Sequence, residues 1–252
     1  MLMIKFFRHI RKSLLMENKT GKYFKYAVGE IVLVVIGILI ALQINNWNEQ
    51  KKLKVQETEA LTEIISDLTI NISKFDETLN GENRPGNISN TLKSLYIIID
   101  HLKSNEIYQD SLDMHFGIIT FSSNIINYKT SGYESLSSVG LDLIKNTKLR
   151  SEIGEYYTSS IVIPQNVSIG LTEDFGSYML DYIRKDFITT DDLTLRIYTL
   201  HPRNYNALRE KGEFLESLKM YLGVYSTYEN SINNAKKATN ALKNNIESYL
   251  KN

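Results

Sequence analysis

The chain has 252 residues, no cysteine, three prolines and 29 basic against 29 acidic residues, so its formal net charge is zero. The missing cysteines exclude disulfides, thiol catalysis and Cys-ligated metals, and the neutral charge balance gives no support for nucleic-acid binding. With few prolines and thirteen glycines, the composition favours helices over a turn-rich β architecture.

The first 26 residues are predicted to form a basic amphipathic arm. Apolar residues recur at helical spacing between Ile4 and Leu15, with basic residues on the other side. Seven bases precede the following apolar stretch, and Glu17 is the one acid among them. Two interpretations fit this pattern. The arm is either a helix lying in the headgroup layer of a membrane, or a short segment whose charges only hold the N-terminus in the cytoplasm.

Residues 27–47, AVGEIVLVVIGILIALQINNW, are predicted to form a single transmembrane helix. A helix of about 20 residues crosses the hydrocarbon core of a bilayer, and aromatic residues at both ends fit its interfaces. The basic flank predicts a cytoplasmic N-terminus and a C-terminal domain outside. Because no small-x-small cleavage site follows the apolar run, an uncleaved anchor is favoured over a signal peptide.

Glu30 is the one ionisable residue of this span. A carboxyl group inside a membrane helix is a candidate for function. It lies about one turn from the basic end, however, so we interpret it as interfacial. Gly37 and Ala41 form a small-xxx-small pair that would let a second helix approach closely, although such pairs also arise by chance in apolar runs.

Two stretches resemble an uncharacterised Bacteroidota family of single-pass membrane proteins. The run GEIVLVVIGILIALQINNWNE, from Gly29 to Glu49, is similar to that family's N-terminal signature. The block SGYESLSSVGLDLIKNTKLRSEIGEYY, from Ser131 to Tyr157, is similar to its middle region. The resemblance implies a bacterial envelope protein in the inner membrane that faces the periplasm. It brings no activity and no catalytic residues with it.

Residues 48–252 are predicted to form an extracytoplasmic helical bundle, which makes the whole chain all-α. An a/d seam continues from the span, too short for an independent coiled coil, with its apolar positions at Leu61, Ile65, Leu68, Ile72, Phe75 and Leu79. A loop at residues 80–87 then leads to a second helix over Ile88–Leu102. A third helix is predicted from Ser111 to about Asn127.

The middle of the domain is predicted to be more broken. Residues 128–145 contain two glycines and many serines, which indicates short helices with turns. The next helix is capped at Asn146 or Thr147, is interrupted by Pro164, and resumes from Leu171 to Ile183. Residues 189–192 are interpreted as a loop, and LRIYTL, residues 195–200, as a possible strand with no evident partner.

The last helix has the clearest pattern outside the span. Its 3-4 alternation runs over Leu218, Tyr221, Tyr225, Tyr228, Ile232, Ala235, Thr239, Leu242, Ile246 and Tyr249. We expect this helix to pack antiparallel to the helix that follows the membrane. The tyrosine stripe is interpreted first as core packing and second as a partner surface.

The sequence predicts no catalytic, cofactor-binding or metal-binding residue, and no cofactor. The four histidines, His9, His101, His115 and His201, lack the spacing of a metal motif, so hydrogen-bonded or solvent-facing roles are favoured. The serine cluster is interpreted as helix-end and turn hydroxyls; it comprises Ser131, Ser135, Ser137 and Ser138 beside Glu134.

These observations predict a non-enzymatic, membrane-anchored protein whose domain binds another envelope protein or a second copy of itself, with the lipid bilayer as its other partner. The alternative is a small-molecule sensor with a helical ligand domain, which would act through a separate membrane partner. An unrecognised hydrolase is the third possibility.

Overall fold

The computed structural model describes residues 20–82, 84–120, 126–190 and 199–251. Most of the predicted arm, residues 1–19, lies outside the described residues. The chain divides into two compact units, residues 1–57 and 58–252. Helices account for nearly all of the regular structure, which confirms the all-α class.

Nine α-helices and two short strands make up the described residues. In chain order the helices are α1 (Thr20–Asn80), α2 (Ile88–Lys103), α3 (Leu112–Thr120), α4 (Ser131–Val139), α5 (Thr147–Glu155), α6 (Val162–Tyr178), α7 (Leu180–Asp186), α8 (Tyr205–Glu210) and α9 (Gly212–Lys251). The strands β1 (Phe187–Thr190) and β2 (Thr199–Pro202) lie between α7 and α8. A 3₁₀ turn spans Leu141–Leu143, and a π-helical turn spans Tyr156–Ser160.

The first unit consists of the N-terminal part of α1, as far as it is described. Every residue from Ile31 to Lys52 is exposed to the outside of the protein. Among the described residues, α1 is the one helix long and apolar enough to span a membrane, by length and composition. Glu30 lies in this helix and is half-buried.

The second unit buries a different face of α1 from the predicted one. Leu61, Leu68 and Phe75 are fully buried, as the a/d pattern predicts. Between them, Ile64 and Asn71 are completely buried, whereas the predicted Ile65 and Ile72 are half-buried. The buried side of the helix carries the amide of Asn71 and the carboxylate of Asp67. These groups form hydrogen bonds with the backbone of Lys129 and Gly132, which explains why this side is buried.

The second helix, α2, is close to its predicted range. Asn87 caps it, with its side-chain oxygen accepting a hydrogen bond from the Asn90 N–H at 2.8 Å. The third helix is described over Leu112–Thr120, and the next five residues of its predicted range lie outside the described residues. Residues 126–130 have no regular structure, and the backbone of Lys129 bonds to α1 instead.

Asn146 caps α5, since its side-chain oxygen accepts from the Leu149 N–H at 3.1 Å. The helix passes into the π-helical turn, and α6 starts anew at Val162. Pro164 lies in the first turn of α6, where its missing N–H removes no hydrogen bond. The interruption exists but precedes Pro164, at the π-helical turn and Ile161, and a second break at Met179 separates α6 from α7.

The prediction that the possible strand has no partner was wrong. β1 pairs antiparallel with β2, with Phe187 opposite Pro202 and Thr190 opposite Thr199. Thr189 and Thr190 were assigned to a loop but belong to β1. A four-residue strand gives too short an alternation to be recognised, and β2 has only two buried positions, Leu200 and Pro202.

The last helix, α9, buries the seam that its sequence predicts. Its buried positions are Phe214, Leu218, Tyr221, Tyr225, Tyr228, Ile232, Ala235, Thr239, Leu242 and Ile246. Gly223 does not break the helix. An ion pair between Lys236 and Asp76 connects α9 to α1. The antiparallel packing of these two helices stays a prediction.

Candidate functional site

Buried polar side chains of α1 bond to residues 126–132, a segment that we call the strap. Asn71 lies on the buried face of α1 and bonds to the backbone of Lys129 twice. Its Nδ2 donates to the Lys129 carbonyl at 2.9 Å, and its Oδ1 accepts from the Lys129 N–H at 2.7 Å. The amide of Asn71 thereby takes the place of a backbone partner for an irregular segment.

Asp67 makes the second contact, one turn before Asn71. Its carboxylate is 3% exposed and accepts from the Gly132 N–H at 2.6 Å and from the Ser131 hydroxyl at 3.1 Å. Ser131 and Gly132 are the first residues of α4, whose N–H groups have no partner within the helix. Asp67 therefore caps α4 from another helix, and its negative charge is favourable there.

Gly132 lets α4 approach the backbone of α1 directly. A Cβ at this position would lie 2.9 Å from the carbonyl carbon of Glu63 and 2.9 Å from the nitrogen of Ile64. Both neighbours are backbone atoms and cannot rotate away. The Ser-Gly pair of the central block is therefore required by packing and capping together.

Tyrosines surround the other side of the strap. Tyr128 contacts Phe75, and Tyr133 stacks on Tyr157 with ring centroids 4.3 Å apart. Tyr156 lies beside Tyr157, and its hydroxyl is 3.0 Å from the hydroxyl of Thr239 on α9. The contacts of Tyr133, Tyr156 and Tyr157 thus connect α4 with the π-helical turn and α9, and Tyr128 connects the strap with α1.

Two of these hydroxyls, those of Tyr128 and Tyr157, are buried without a hydrogen-bond partner in the described part of the chain. Burial raises the pKa of both side chains. Burial also raises the pKa of Tyr156, and its hydrogen bond with Thr239 opposes that rise. All three tyrosines are therefore neutral at physiological pH.

The described histidines each have a separate hydrogen-bonded position. His101 Nδ1 lies 2.5 Å from the Tyr205 hydroxyl, and His115 Nδ1 lies 3.0 Å from the hydroxyl of Ser94. His201 Nδ1 lies 3.1 Å from a carboxylate oxygen of Asp113. Within residues 20–82, 84–120, 126–190 and 199–251, no three His, Asp or Glu side chains are grouped to hold a metal ion. His9 lies outside the described residues.

The serine cluster is divided among several local contacts. Ser131 bonds to Asp67, and Ser138 donates to the carbonyl of Ser135 at 2.7 Å. Glu134 accepts a hydrogen bond from the Thr130 hydroxyl at 2.6 Å. These are helix-end contacts, as the sequence predicts.

Two of the concave surfaces on the outside of the second unit have volumes above 400 Å³. The larger has a volume of about 680 Å³ and lies where the ends of α6 and α7 face the junction of α8 and α9. Tyr178 and Tyr182 contribute to it, with four carboxylates and two lysines. Each lysine is already paired, Lys185 with Asp181 at 3.3 Å and Lys211 with Asp186 at 2.7 Å, so the lining carries a net negative charge.

The second surface is an apolar groove between α6 and α9 with a volume of about 430 Å³. Val167, Val224 and Met220 contribute apolar side chains, and Gly170 and Gly223 leave the groove open between them. No atom lies within 4 Å of a Cβ built on either glycine. The groove is therefore accessible to a ridge of side chains from outside.

Comparison with protein families gives one match. Residues 30–162 correspond to the Family of unknown function (DUF6090), which is more than half of the chain. The chain belongs to DUF6090. No curated protein and no solved structure matches it. The match includes the apolar part of α1, the strap and the whole of α4 and α5, so it contains both sides of the Asp67 and Asn71 contacts.

Sequence reasoning missed Asp67, Asn71 and Gly132. The available signal was the 3-4 spacing of Ile64, Leu68 and Asn71, which places an amide on an otherwise apolar face. The a/d pattern counts apolar residues only, so it selects Ile72 and leaves Asn71 out of the seam. Gly132 was recognised as a break in a helix, whereas its actual role is close approach.

Proposed function

We propose that this DUF6090 protein is a single-pass membrane protein whose helical domain binds another protein of the bacterial envelope and catalyses no reaction. The observation that carries the anchor is the exposed apolar surface from Ile31 to Ile44, followed by the exposed Trp47. A helix that is apolar all round is stable either inside a protein or inside a membrane. No part of the apolar window is buried in the protein, so a bilayer is the environment that suits it.

The orientation follows from charge. The basic residues before Ala27 favour a cytoplasmic N-terminus, which places the helical domain in the periplasm of a Bacteroidota cell. A fusion of alkaline phosphatase to the C-terminus tests this arrangement, because the enzyme is active in the periplasm only. We expect an active fusion and an inactive one when the fusion point is moved to Lys25. The reverse pattern would contradict the orientation.

Partner binding is supported by the distribution of chemical groups. The buried carboxylate and amide of α1 are engaged in holding the strap and α4. The accessible feature is the apolar groove between α6 and α9. Its open glycine pair suits an amphipathic helix of the partner, which would place apolar side chains between Gly170 and Gly223.

Site-specific crosslinking tests the groove in intact cells. A photo-reactive amino acid at Met220, which is 52% exposed, should give one adduct of defined size. The matched control is Asn234, which is exposed on the same helix but does not line the groove. Adducts from both positions alike, or from neither, would contradict a specific partner in the groove.

The larger concavity favours a small-molecule sensor as the second candidate. Its volume of about 680 Å³ is in the range of ligand pockets, and two tyrosines with unneutralised carboxylates suit a cationic ligand. Calorimetric titration with alkylammonium compounds and with uncharged alcohols of equal size tests this. Selective binding of the ammonium series, lost in Glu213→Gln, would favour the sensor, and absence of heat in both series would exclude this ligand class.

A further inference from the structure

The helix α1 carries two competing faces in the second unit. The observed face buries Leu61, Ile64, Leu68, Asn71 and Phe75, the members of this list being separated by three or four residues. A second face keeps three of them but replaces Ile64 and Asn71 with Ile65 and Ile72, which are half-buried. With 3.6 residues per turn, the centres of the two faces differ by a rotation of roughly 40°.

The second face is the more apolar of the two, yet the structure buries the first. Apolar burial alone would favour Ile72 over Asn71 at the centre of the seam. The observed choice is instead explained by the bonds of Asn71 to Lys129 and of Asp67 to Ser131 and Gly132. A buried amide that fixes the register of a helix is a well-attested use of a polar core residue.

We propose that Asp67 and Asn71 form a rotational lock on α1, and that breaking the lock turns the helix onto its second apolar face. In the turned setting both polar side chains move away from the centre of the buried face, and Asp67 moves to its solvent side. Ile65 and Ile72 become buried, and Ile64 moves outward. The strap and the first turn of α4 lose their side-chain partners on α1. The rotation of α1 therefore changes the hydrogen bonding of α4 directly.

Cysteine labelling measures the setting of the helix, because the natural chain contains no cysteine. Single cysteines replace Ile64 or Ile65 in the full chain, solubilised in mild detergent. With the lock intact, Ile65→Cys should react with a water-soluble maleimide about tenfold faster than Ile64→Cys, because thiol reactivity follows exposure. The order of the two rates is the readout.

The releasing variant is Asn71→Asp, which keeps the size of the side chain but cannot donate to the Lys129 carbonyl. A carboxylate oxygen in place of Nδ2 is repelled by the Lys129 carbonyl oxygen, which lies 2.9 Å away, so the order of the two labelling rates should reverse. The matched control is Asn71→Leu, which keeps the observed face apolar and leaves Asp67 bonded. It should preserve the original order.

Three results would overturn the lock. One is an unchanged order in Asn71→Asp, which would show that α1 has a single setting. Another is fast labelling at both positions, which would show loosening in place of rotation. Should Asn71→Asp fail to fold, Asp67→Lys is measured in the same way, since a lysine cannot accept the Gly132 N–H. Unfolding of both, with Asn71→Leu folded, would show that no second setting is stable.

Discussion

Two stretches of α1 have similar apolar residues and opposite surroundings. From Ile31 to Trp47 every side chain is exposed, whereas Leu61, Leu68 and Phe75 are completely buried. The first stretch is apolar on all sides, and the second is apolar on one side only. The difference shows that periodicity, and not apolar content, decides whether a helix packs against its own chain. A helix that is apolar on all sides is stable only in an apolar environment, such as a protein core or a bilayer.

The largest expected effect comes from charging the first stretch. The double variant Val35→Arg/Leu39→Arg places two charges near the middle of the span, where each costs about 2.5–3.5 kcal/mol of insertion. We expect the chain to move from the membrane fraction to the soluble or aggregated fraction after alkaline carbonate extraction.

The matched control for that variant is Ile70→Arg. Ile70 lies in the second stretch and is 40% exposed, so its side chain already reaches water. This variant should stay in the membrane fraction. If both variants extract alike, membrane attachment does not depend on the exposed apolar stretch.

The next effect tests close packing in the second stretch. Gly132→Ala forces a Cβ to within 2.9 Å of two backbone atoms of α1, and overpacking of this kind costs about 1–3 kcal/mol. The free energy of unfolding, measured with urea on the full chain in detergent, should fall by that amount. Gly154→Ala is the control, because no atom lies within 4 Å of its Cβ and alanine is the better helix former. Equal losses in the two variants would contradict the close approach.

The same comparison explains what the sequence could predict. The long apolar helix and the last helix were recognisable, because each has a long uniform pattern, over residues 27–47 and over Leu218–Ile246. The buried face of α1 was not, because a rule that counts apolar side chains prefers Ile72 to Asn71. The structure prefers Asn71, since an irregular segment needs its amide.

Long-range partners explain the remaining errors. Nothing local to Asp67 indicates that it caps a helix more than 60 residues later, and Gly132 resembles any helix-breaking glycine until Glu63 and Ile64 are placed beside it. The β1–β2 pair was missed because a four-residue strand has too short a pattern. Contacts between segments that are distant in the sequence can be predicted only once the fold is known.

Two neighbouring tyrosines, Tyr156 and Tyr157, test how single hydroxyl groups contribute to the stability of the second unit. Tyr156→Phe removes a hydroxyl that bonds to Thr239, so we expect a loss of about 1 kcal/mol in the free energy of unfolding. Tyr157→Phe removes a buried hydroxyl that has no partner in the described residues, so we expect no loss or a gain. A larger loss from Tyr157→Phe would show that its hydroxyl is bonded.

Alkaline pH gives a second test of the buried Tyr157 hydroxyl. Burial raises the pKa of Tyr157 above its ordinary value of 10.0, so the folded protein keeps a proton that the unfolded chain loses. The contribution of Tyr157 to the free energy of unfolding is therefore fully present below pH 10 and falls as the pH rises above it. The thermal midpoint of Tyr157→Phe should decline less steeply than that of the natural chain above this pH. Equal slopes would show that Tyr157 does not contribute to alkaline unfolding.

The smallest effect is expected from His115, and it acts at the opposite end of the pH range. Burial, aided by the charge of Lys93, lowers the pKa of its imidazole below the ordinary 6.5. Below pH 6.5 the unfolded chain therefore takes up a proton that the folded protein resists, and stability falls as the pH decreases. His115→Gln keeps a polar group near Ser94 and removes this titration, so its urea midpoint should decline less between pH 7 and pH 5 than that of the natural chain. An unchanged slope in His115→Gln would place the acid sensitivity on other groups of the second unit.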